Sequence, residues 1–479
     1  MAFATEDSIL QLMRKTKIIC TIGPATEKTE MLRELIEKGS DVFRLNMSHA
    51  SHEWVRDIVP RIRMLAQRAD RPIAVLLDTQ GPAIRTGDLK TPLRLEPGDI
   101  LELTLPGANS KESFSVDVNY RGFVDDVTVG DTILVDNGLM KLLVLGKGNN
   151  RVRCKVLTRA VLGSRRHINL PGVRVNLPSL TAKDRADISV GVEVGADFIG
   201  LSFVREKSDI EKLRKLLSRK KSNAQIVAKI EDQLAVRSID KMIESADAIM
   251  VARGDLGIEC PMEDLPIIQR RIVKNCLRLG KPVIIATQLL ESMITNPLPT
   301  RAEITDVANA VFEEADALML SGETTIGQYP IECVEVLRRV AVRIERSGGA
   351  GYAQNALLEN VRQKTVASAV ALANSLHDSK LVVFTLQGRM ARYASNLRPR
   401  HAPIFAFTPN NEVYRQLALC WGVFPVCIDF SSDPHRTLAA AEKFLRKNKL
   451  AAPGNRMVIV SDVRMGRALI DSIQLRIMK

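Results

Sequence analysis

Several things are missing from these 479 residues, and each absence removes a class of function. No run approaches the roughly 18 uninterrupted apolar residues of a membrane-spanning helix, and residues 1–15 carry no apolar stretch followed by a cleavage site. No membrane association is expected, and the expected location is cytoplasmic. The seven cysteines (Cys20, Cys154, Cys260, Cys276, Cys333, Cys420, Cys427) are odd in number and show no C-x-x-C spacing, so neither a disulfide framework nor a zinc site is indicated. They read as buried apolar fillers. Aromatic residues make up only 4%, and no low-complexity tract stands out. There is no basic block either. The formal charge of +13 comes from 68 basic residues dispersed among 55 acids, which disfavours nucleic acid and favours a small anionic substrate.

With 46% hydrophobic and 26% charged residues, the composition is that of a soluble globular protein. At roughly 100 to 200 residues per domain, the length implies about three domains. Eight near-continuous apolar runs recur: KIICTIG, DVFRLNMS, IAVLLDT, DFIGLSFV, QIVAKIE, DAIMVARG, PVIIAT and DALMLSG. Stretches of helical periodicity separate most of them, the βα pattern of parallel strands buried on both faces. Eight such units imply a closed (β/α)8 barrel, here residues 1–83 and 181–346. Ser40-Asp41, Ala196-Asp197 and Ala315-Asp316 suit tight turns into three of the strands.

Residues 84–180 have another texture, with short alternating segments broken by Pro-Gly, Asn-Gly and Gly-Lys-Gly turns. They read as a small antiparallel β domain, leaving the barrel after its third strand and returning before its fourth, placed as a lid over the C-terminal mouth. SGGAGY, beginning at Ser347, reads as a linker into a third domain, 347–479. There LVVFTLQGR, PIFAFTP, FPVCIDF and RMVIVSD read as strands of an open α/β sheet.

Functional groups of such barrels sit at the C-terminal ends of the strands. The second run ends with Arg44, Asn46, Ser48 and His49, the third with Asp78 and Thr79, and the fourth carries Ser202. The fifth ends in Lys229 and Glu231, the sixth in Gly254 and Asp255, the seventh in Thr287. Glu231 and Asp255 offer two hard oxygen ligands, as a Mg²⁺ site commonly does, the rest coming from substrate and water. Lys229, two residues from a ligand, is placed to stabilise negative charge on a transferred phosphoryl group or an enolate. Arg44 suits a phosphate, and a helix starting after Gly254-Asp255 would aim N–H groups at a carboxylate. Each residue taken singly also fits a rim salt bridge, a cap or a turn, and Arg44 a structural pair with Asp78.

The stretches KIICTIGPAT, FRLNMSHA, LLDTQGPAIRTG, LGSRRHINLPG, KIEDQLAV, IMVARGDLGIE, ATQLLESMITNPLPTRAEITDVANAV and LMLSGETTIGQYP, in this order, resemble the signatures of pyruvate kinase over nearly the whole chain. The resemblance implies a barrel with an inserted small β-barrel lid and a C-terminal α/β domain. It also implies phosphoryl transfer from phosphoenolpyruvate to ADP, giving pyruvate and ATP, with Mg²⁺ (or Mn²⁺) and K⁺, in a homotetramer. Carried over by position, Arg44 and Lys229 would bind the phosphoryl group, Glu231 and Asp255 would hold Mg²⁺, and Gly254, Asp255, Thr287 and Ser202 would seat the substrate. Thr287 would stand near the proton-delivery face. Asn46, Ser48, Asp78 and Thr79 match the monovalent-cation site, and Asn46, His49, Arg85 and Arg166 the nucleotide contacts.

The chain departs from that pattern at Gln80 and Ala83 beside the monovalent-cation positions, and at Asn137 and His167 in the lid. The TLQGRMA loop matches the family's effector loop at Thr385, Gly388 and Arg389. Gln387 and Met390 stand where phosphate-binding hydroxyls are expected. A structural strand-to-helix turn is the expectation there. Two other readings compete: a lyase or mutase acting on phosphoenolpyruvate or pyruvate, and a catalytically weak relative serving as a regulatory protein.

Overall fold

The computed structural model describes residues 14–108, 110–173, 175–465 and 468–478, so most of residues 1–15 lie outside the described residues. All eight apolar runs form strands: β1 (Lys17–Thr21), β2 (Val42–Asn46), β3 (Ala74–Asp78), β4 (Phe198–Leu201), β5 (Gln225–Ile230), β6 (Ala248–Ala252), β7 (Val283–Ala286) and β8 (Ala317–Leu320). They close into one barrel, each strand parallel to its sequence neighbours and β8 beside β1. Small residues (Ala74, Ala248, Ala286, Ala317) alternate inside it with Phe198, Met250 and Met319, which fills the narrow interior without a pore. Outward faces pack on the surrounding helices in one continuous core.

The N-terminal rim of the barrel is sewn shut by aspartates. Asp41, Asp197, Asp247 and Asp316 each accept the first free N–H of a neighbouring strand, from Ile18 (2.8 Å), Val75 (2.8 Å), Ile226 (2.8 Å) and Val283 (3.0 Å). The turn signal at three of these sites therefore marks more than a turn: the carboxylate caps the adjacent strand. Arginines neutralise them: Arg14 on Asp41, Arg63 and Arg415 on Asp197, Arg214 on Asp247 and Arg398 on Asp316. Arg398 and Arg415 come from the C-terminal domain, which also inserts Ala418 and Leu419 into the inner barrel core. That domain is thus a plug as well as an appendage.

The insert folds as a curled six-stranded sheet, ordered Ile168–Asn169, Thr132–Val135, Met140–Gly148, Arg151–Val156, Ile100–Thr104 and Phe114–Asp117, with a separate ribbon of Leu93–Leu95 and Ala160–Leu162. The expected antiparallel pairing holds except at one edge. Ile100–Thr104 and Phe114–Asp117 run parallel, because the connection between them crosses back, pinned by the Ser110 hydroxyl donating to Glu102 (2.6 Å).

The C-terminal sheet is ordered Val423–Cys427, Ile404–Thr408, Ser379–Phe384, Arg456–Met465 and Ala468–Ile477. Its first four strands are parallel; the last, absent from the sequence reading, is an antiparallel edge. The TLQGRMA loop is a strand-to-helix turn with Gly388 at φ +76°, and Met390 fills the domain core. The cysteine reading holds too, with six of the seven buried.

The Arg398–Asp316 pair spans barrel and plug at 2.9 Å with side chains only 4% and 3% exposed. Asp316→Ala leaves a buried guanidinium unmatched and uncaps Val283, so unfolding stability should fall by about 3–5 kcal/mol. Urea denaturation checks this; a wild-type midpoint would contradict it.

Candidate active site

At the opposite rim, β5 delivers Lys229 into a nest of opposite charge. Its ammonium donates to the Ser202 hydroxyl (2.8 Å), pairs with Glu231 Oε1 (2.8 Å) and stands 3.4 Å from Asp78 Oδ1. Arg44, from β2, donates through Nε to Asp78 Oδ2 (2.7 Å) and through Nη1 to the Thr21 hydroxyl (3.1 Å). Ser202 in turn donates to the Thr79 carbonyl (2.6 Å). Two cations and two carboxylates are therefore fixed within a few ångströms, nearly out of water.

Burial alone would lower the pKa of Lys229, but the Asp78 and Glu231 carboxylates outweigh it and hold the amine above the usual lysine range. Burial likewise pushes Asp78 up, and Lys229 and Arg44 pull it below the usual carboxylate range. Glu231 is left less compensated. Burial raises it to about 7, Lys229 opposing and the Asp255 charge adding to the rise.

Three backbone positions at this rim, Phe203, Thr287 and Gln288, are strained. Thr287 has φ +68° and Gln288 φ +55°, a region that costs a β-branched residue on the order of 1–3 kcal/mol. The guanidinium of Arg253 donates to the carbonyls of Thr287 (2.7 Å) and Gln288 (3.2 Å) and is braced by Asp306 (2.7 Å). The Thr287 hydroxyl so held accepts the Gly254 N–H at 2.8 Å. Phe203, at φ +52°, turns its N–H onto Glu231 Oε2 at 2.5 Å. The helix expected to start after Gly254-Asp255 begins earlier, at Arg253, which puts both residues in its first turn.

A cavity of about 370 Å³ opens above this rim. Arg44, Asn46, Ser48, Thr79, Lys229, Glu231 and Asp255 form its floor, with Gln80 and Ala83 beside them; the lid contributes Arg85, Asp136, Asn137, Arg165, Arg166 and His167. Most of the residues singled out in the sequence thus meet in one place. Asp78 and Ser202 lie beneath, supporting Lys229, and Gly254 and Thr287 are paired at the side. His49 lies in an adjoining chamber of about 690 Å³ that shares Arg44 and Asn46.

That chamber also holds Trp54, its indole N–H fixed on Glu27 (2.6 Å), a residue the sequence reading passed over although the chain has only two tryptophans. Phe203 and Arg253 were passed over too, since nothing in the order of residues announces a strained turn or its brace. On the lid, Asp136 (φ +55°) and Asn137 (φ +56°) form the hairpin tip, and Asp136 accepts from Arg166 at 3.4 Å. His167 lies tilted against Phe203 with centroids 6.0 Å apart. Burial lowers its pKa, Asp255 opposing.

Among the described residues, no group of three or more His, Cys, Asp and Glu is arranged to hold a metal. Glu231 and Asp255 are a two-carboxylate set, which suits an ion that takes its remaining ligands from substrate and water. Both carboxylates line the same cavity, the placement a shared cation requires. Asp78 Oδ1, buried beneath them, faces the Lys229 ammonium at 3.4 Å and accepts no other hydrogen bond.

A (β/α)8 barrel with a matched lysine at its mouth, beneath an arginine-bearing lid, defines a barrel enzyme whose site is built to stabilise negative charge. The comparisons with known proteins narrow the class. The family described as "Pyruvate kinase, barrel domain" matches residues 13–334, and "Pyruvate kinase, alpha/beta domain" matches 363–473. The chain is 42% identical over 454 residues to plastidial pyruvate kinase 3 of Arabidopsis thaliana, covering 93% of this chain and 78% of that protein. It is 41% identical over 467 residues to the pyruvate kinase of Geobacillus stearothermophilus (95% and 78%). A crystal structure of a pyruvate kinase from Cryptosporidium parvum superposes with a TM-score of 0.93 at 34% identity, covering 98% and 97% of the two chains. The chain belongs to the pyruvate kinase family.

Lid and barrel are latched where Asn169 donates to Glu259 (2.9 Å). Burial raises Glu259 to about 7, the Asn169 bond opposing. An acid that binds its proton more tightly folded than unfolded loses stability as pH rises from the ordinary value of 4.5 to about 7. Glu259→Gln removes that loss, so the variant should gain on wild type by about 1–2 kcal/mol between roughly pH 5.5 and 8. Denaturation at the two pH values checks this; a constant gap would contradict it.

Proposed function

We propose that this enzyme transfers the phosphoryl group of phosphoenolpyruvate to ADP, giving pyruvate and ATP, the last step of glycolysis. The observation that carries the reading is Lys229, buried and protonated between Asp78 and Glu231 at the mouth of the barrel. Family membership supports the same reaction. In the reaction the bond from phosphorus to the enol oxygen breaks, phosphorus bonds to a terminal oxygen of ADP, and the enolate takes a proton at carbon.

Arg44 and Lys229 hold the phosphoryl oxygens, and Lys229 offsets the charge that grows on the enolate oxygen. Gly254, Asp255 and Thr287 seat the substrate carboxylate, Ser202 steadies Lys229, and the strained Thr287 presents its hydroxyl to the face that is protonated. Glu231 and Asp255 are the residues to hold Mg²⁺ or Mn²⁺, which when bound neutralises phosphate and enolate charge. Asn46, Ser48, Asp78 and Thr79 are those to hold K⁺. Asn46, His49, Arg85 and Arg166 approach the nucleotide, with Trp54 lining the chamber beside them. The lid excludes water from the transfer.

A homotetramer is part of the proposal. It is supported by exposed apolar side chains on the barrel (Met262 77%, Ile267 66%, Leu298 72%) and along the C-terminal edge strand (Leu475 51%, Ile477 65%). No helix among the described residues is long and apolar enough to cross a membrane. The cytoplasm is the proposed location.

Lys229→Met should lower turnover of phosphoenolpyruvate and ADP by about 10³-fold or more while the fold persists, read by a coupled pyruvate assay and circular dichroism. Undiminished turnover would sink the assignment, and rearrangement or cleavage of the substrate without ADP would revive the lyase or mutase reading. The same assay should run faster in K⁺ than in a bulky organic cation; equal rates would remove the monovalent site.

A further inference from the structure

The seam between the barrel's N-terminal rim and the C-terminal domain encloses a separate cavity of about 600 Å³, at the opposite end of the strands from the catalytic mouth. Its volume lies in the range of sites that bury small metabolites. Lys15, Arg346, Arg398 and Arg400 bring four cations to its lining, with His401 beside them, against two acids, Glu314 and Glu345.

Both acids are turned toward the chain's own N–H groups. Glu345 accepts from Lys15 N (2.9 Å) and Thr16 N (2.7 Å), and Glu314 from Gly351 N and Ala353 N (3.2 Å each). Lys15 Nζ is held by the carbonyls of Pro399 (3.2 Å) and Arg400 (2.7 Å) and stands 5.0 Å from the centre of the Trp421 ring. The Arg398 guanidinium lies 4.8 Å from the same ring, and its buried Nε has no hydrogen-bond partner. Arg346, Arg400 and His401 are exposed at the rim, while Val311 and Val342 give the cavity an apolar wall. The glycines of the SGGAGY linker, Gly348 and Gly349, border the opening.

We propose that this seam cavity binds a small phosphate monoester, its phosphate at the rim formed by Arg400 and His401 and its organic part against the apolar wall. With Arg398 matched by Asp316, Lys15, Arg346 and Arg400 stand against Glu314 and Glu345, and a net cationic lining beside an apolar wall is the complement of an anion carrying a less polar body. The site is joined to the barrel. Arg398 pairs with Asp316, whose carboxylate caps β7 through Val283 and whose carbonyl accepts the first N–H of β1 from Lys17 (2.8 Å). Those two strands end at Thr21 and next to Thr287, so a ligand clamping the seam acts on elements that reach the mouth.

The test is isothermal titration of the full chain with inorganic phosphate, a pentose phosphate and a nucleoside monophosphate. It is run on wild type, on Arg400→Glu and His401→Asp at the rim, and on Arg389→Ala in the TLQGRMA turn. At least one of the two esters should bind wild type more tightly than inorganic phosphate does. Its affinity should drop at least tenfold in Arg400→Glu and His401→Asp and stay unchanged in Arg389→Ala, with basal turnover of the rim variants retained. Which ester binds identifies the organic part. The proposal is overturned if neither ester binds, if the rim variants bind as wild type does, or if Arg389→Ala abolishes binding instead. Inorganic phosphate binding as tightly as the esters would assign the site to the ion and equally overturn it.

Discussion

An ammonium removed from water survives in a protein only where carboxylates are fixed around it, and Lys229 depends on Asp78, at the end of β3, and Glu231, just past β5. The second oxygen of Asp78 is committed to Arg44 from β2. This network is satisfied only when these strands are in register, with Arg44 beside Leu76 and, through the intervening β4, Gly200 beside both Asp78 and Val227. Closing the barrel and assembling the charges are therefore one event. The result is a preorganised patch whose cations are already desolvated and oriented, so little reorganisation is needed when a substrate anion replaces part of the internal pairing.

The two rims of the barrel divide the labour. At the N-terminal rim, aspartates cap strand N–H groups and arginines neutralise them, two of those arginines reaching in from the C-terminal domain. At the C-terminal rim the ordinary rules are relaxed: Phe203 and Thr287 adopt left-handed backbone, one to aim an N–H at Glu231 and the other to hold a hydroxyl against Gly254. Strain of this kind persists only when the surroundings over-determine it, and Arg253 supplies that bracing at Thr287. The stable rim supports the strained one.

Much of this was legible in the sequence because local pattern and chemistry coincide. Eight apolar runs gave eight barrel strands, and the charged residues closing them meet at one cavity. The lid's alternation and turn residues marked a β insert, and its Asp-Asn-Gly tip adopts the left-handed turn such residues favour. What escaped depends on contacts between distant segments. Neither Arg253, at the start of the helix after β6, bracing Thr287 nor the parallel pairing of Ile100–Thr104 with Phe114–Asp117 has a local signature. The edge strand Ala468–Ile477 was missed although Ile473, Leu475 and Ile477 recur at a period of two. The aspartates before the strands read as turns because only the fold brings a neighbouring strand's N–H to each carboxylate.

The central claim is that Lys229, Glu231 and Asp255 form one unit acting on a phosphorylated acid and its metal. The most direct measurement is a crystal structure of the enzyme with Mn²⁺ and oxalate, a small dianion standing in for the enolate of pyruvate, with the metal located by its anomalous scattering. The account predicts Mn²⁺ on the carboxylates of Glu231 and Asp255, with oxalate completing its coordination and the Lys229 ammonium on an oxalate oxygen. Mn²⁺ bound away from these carboxylates, or oxalate seated out of reach of Lys229, would contradict it.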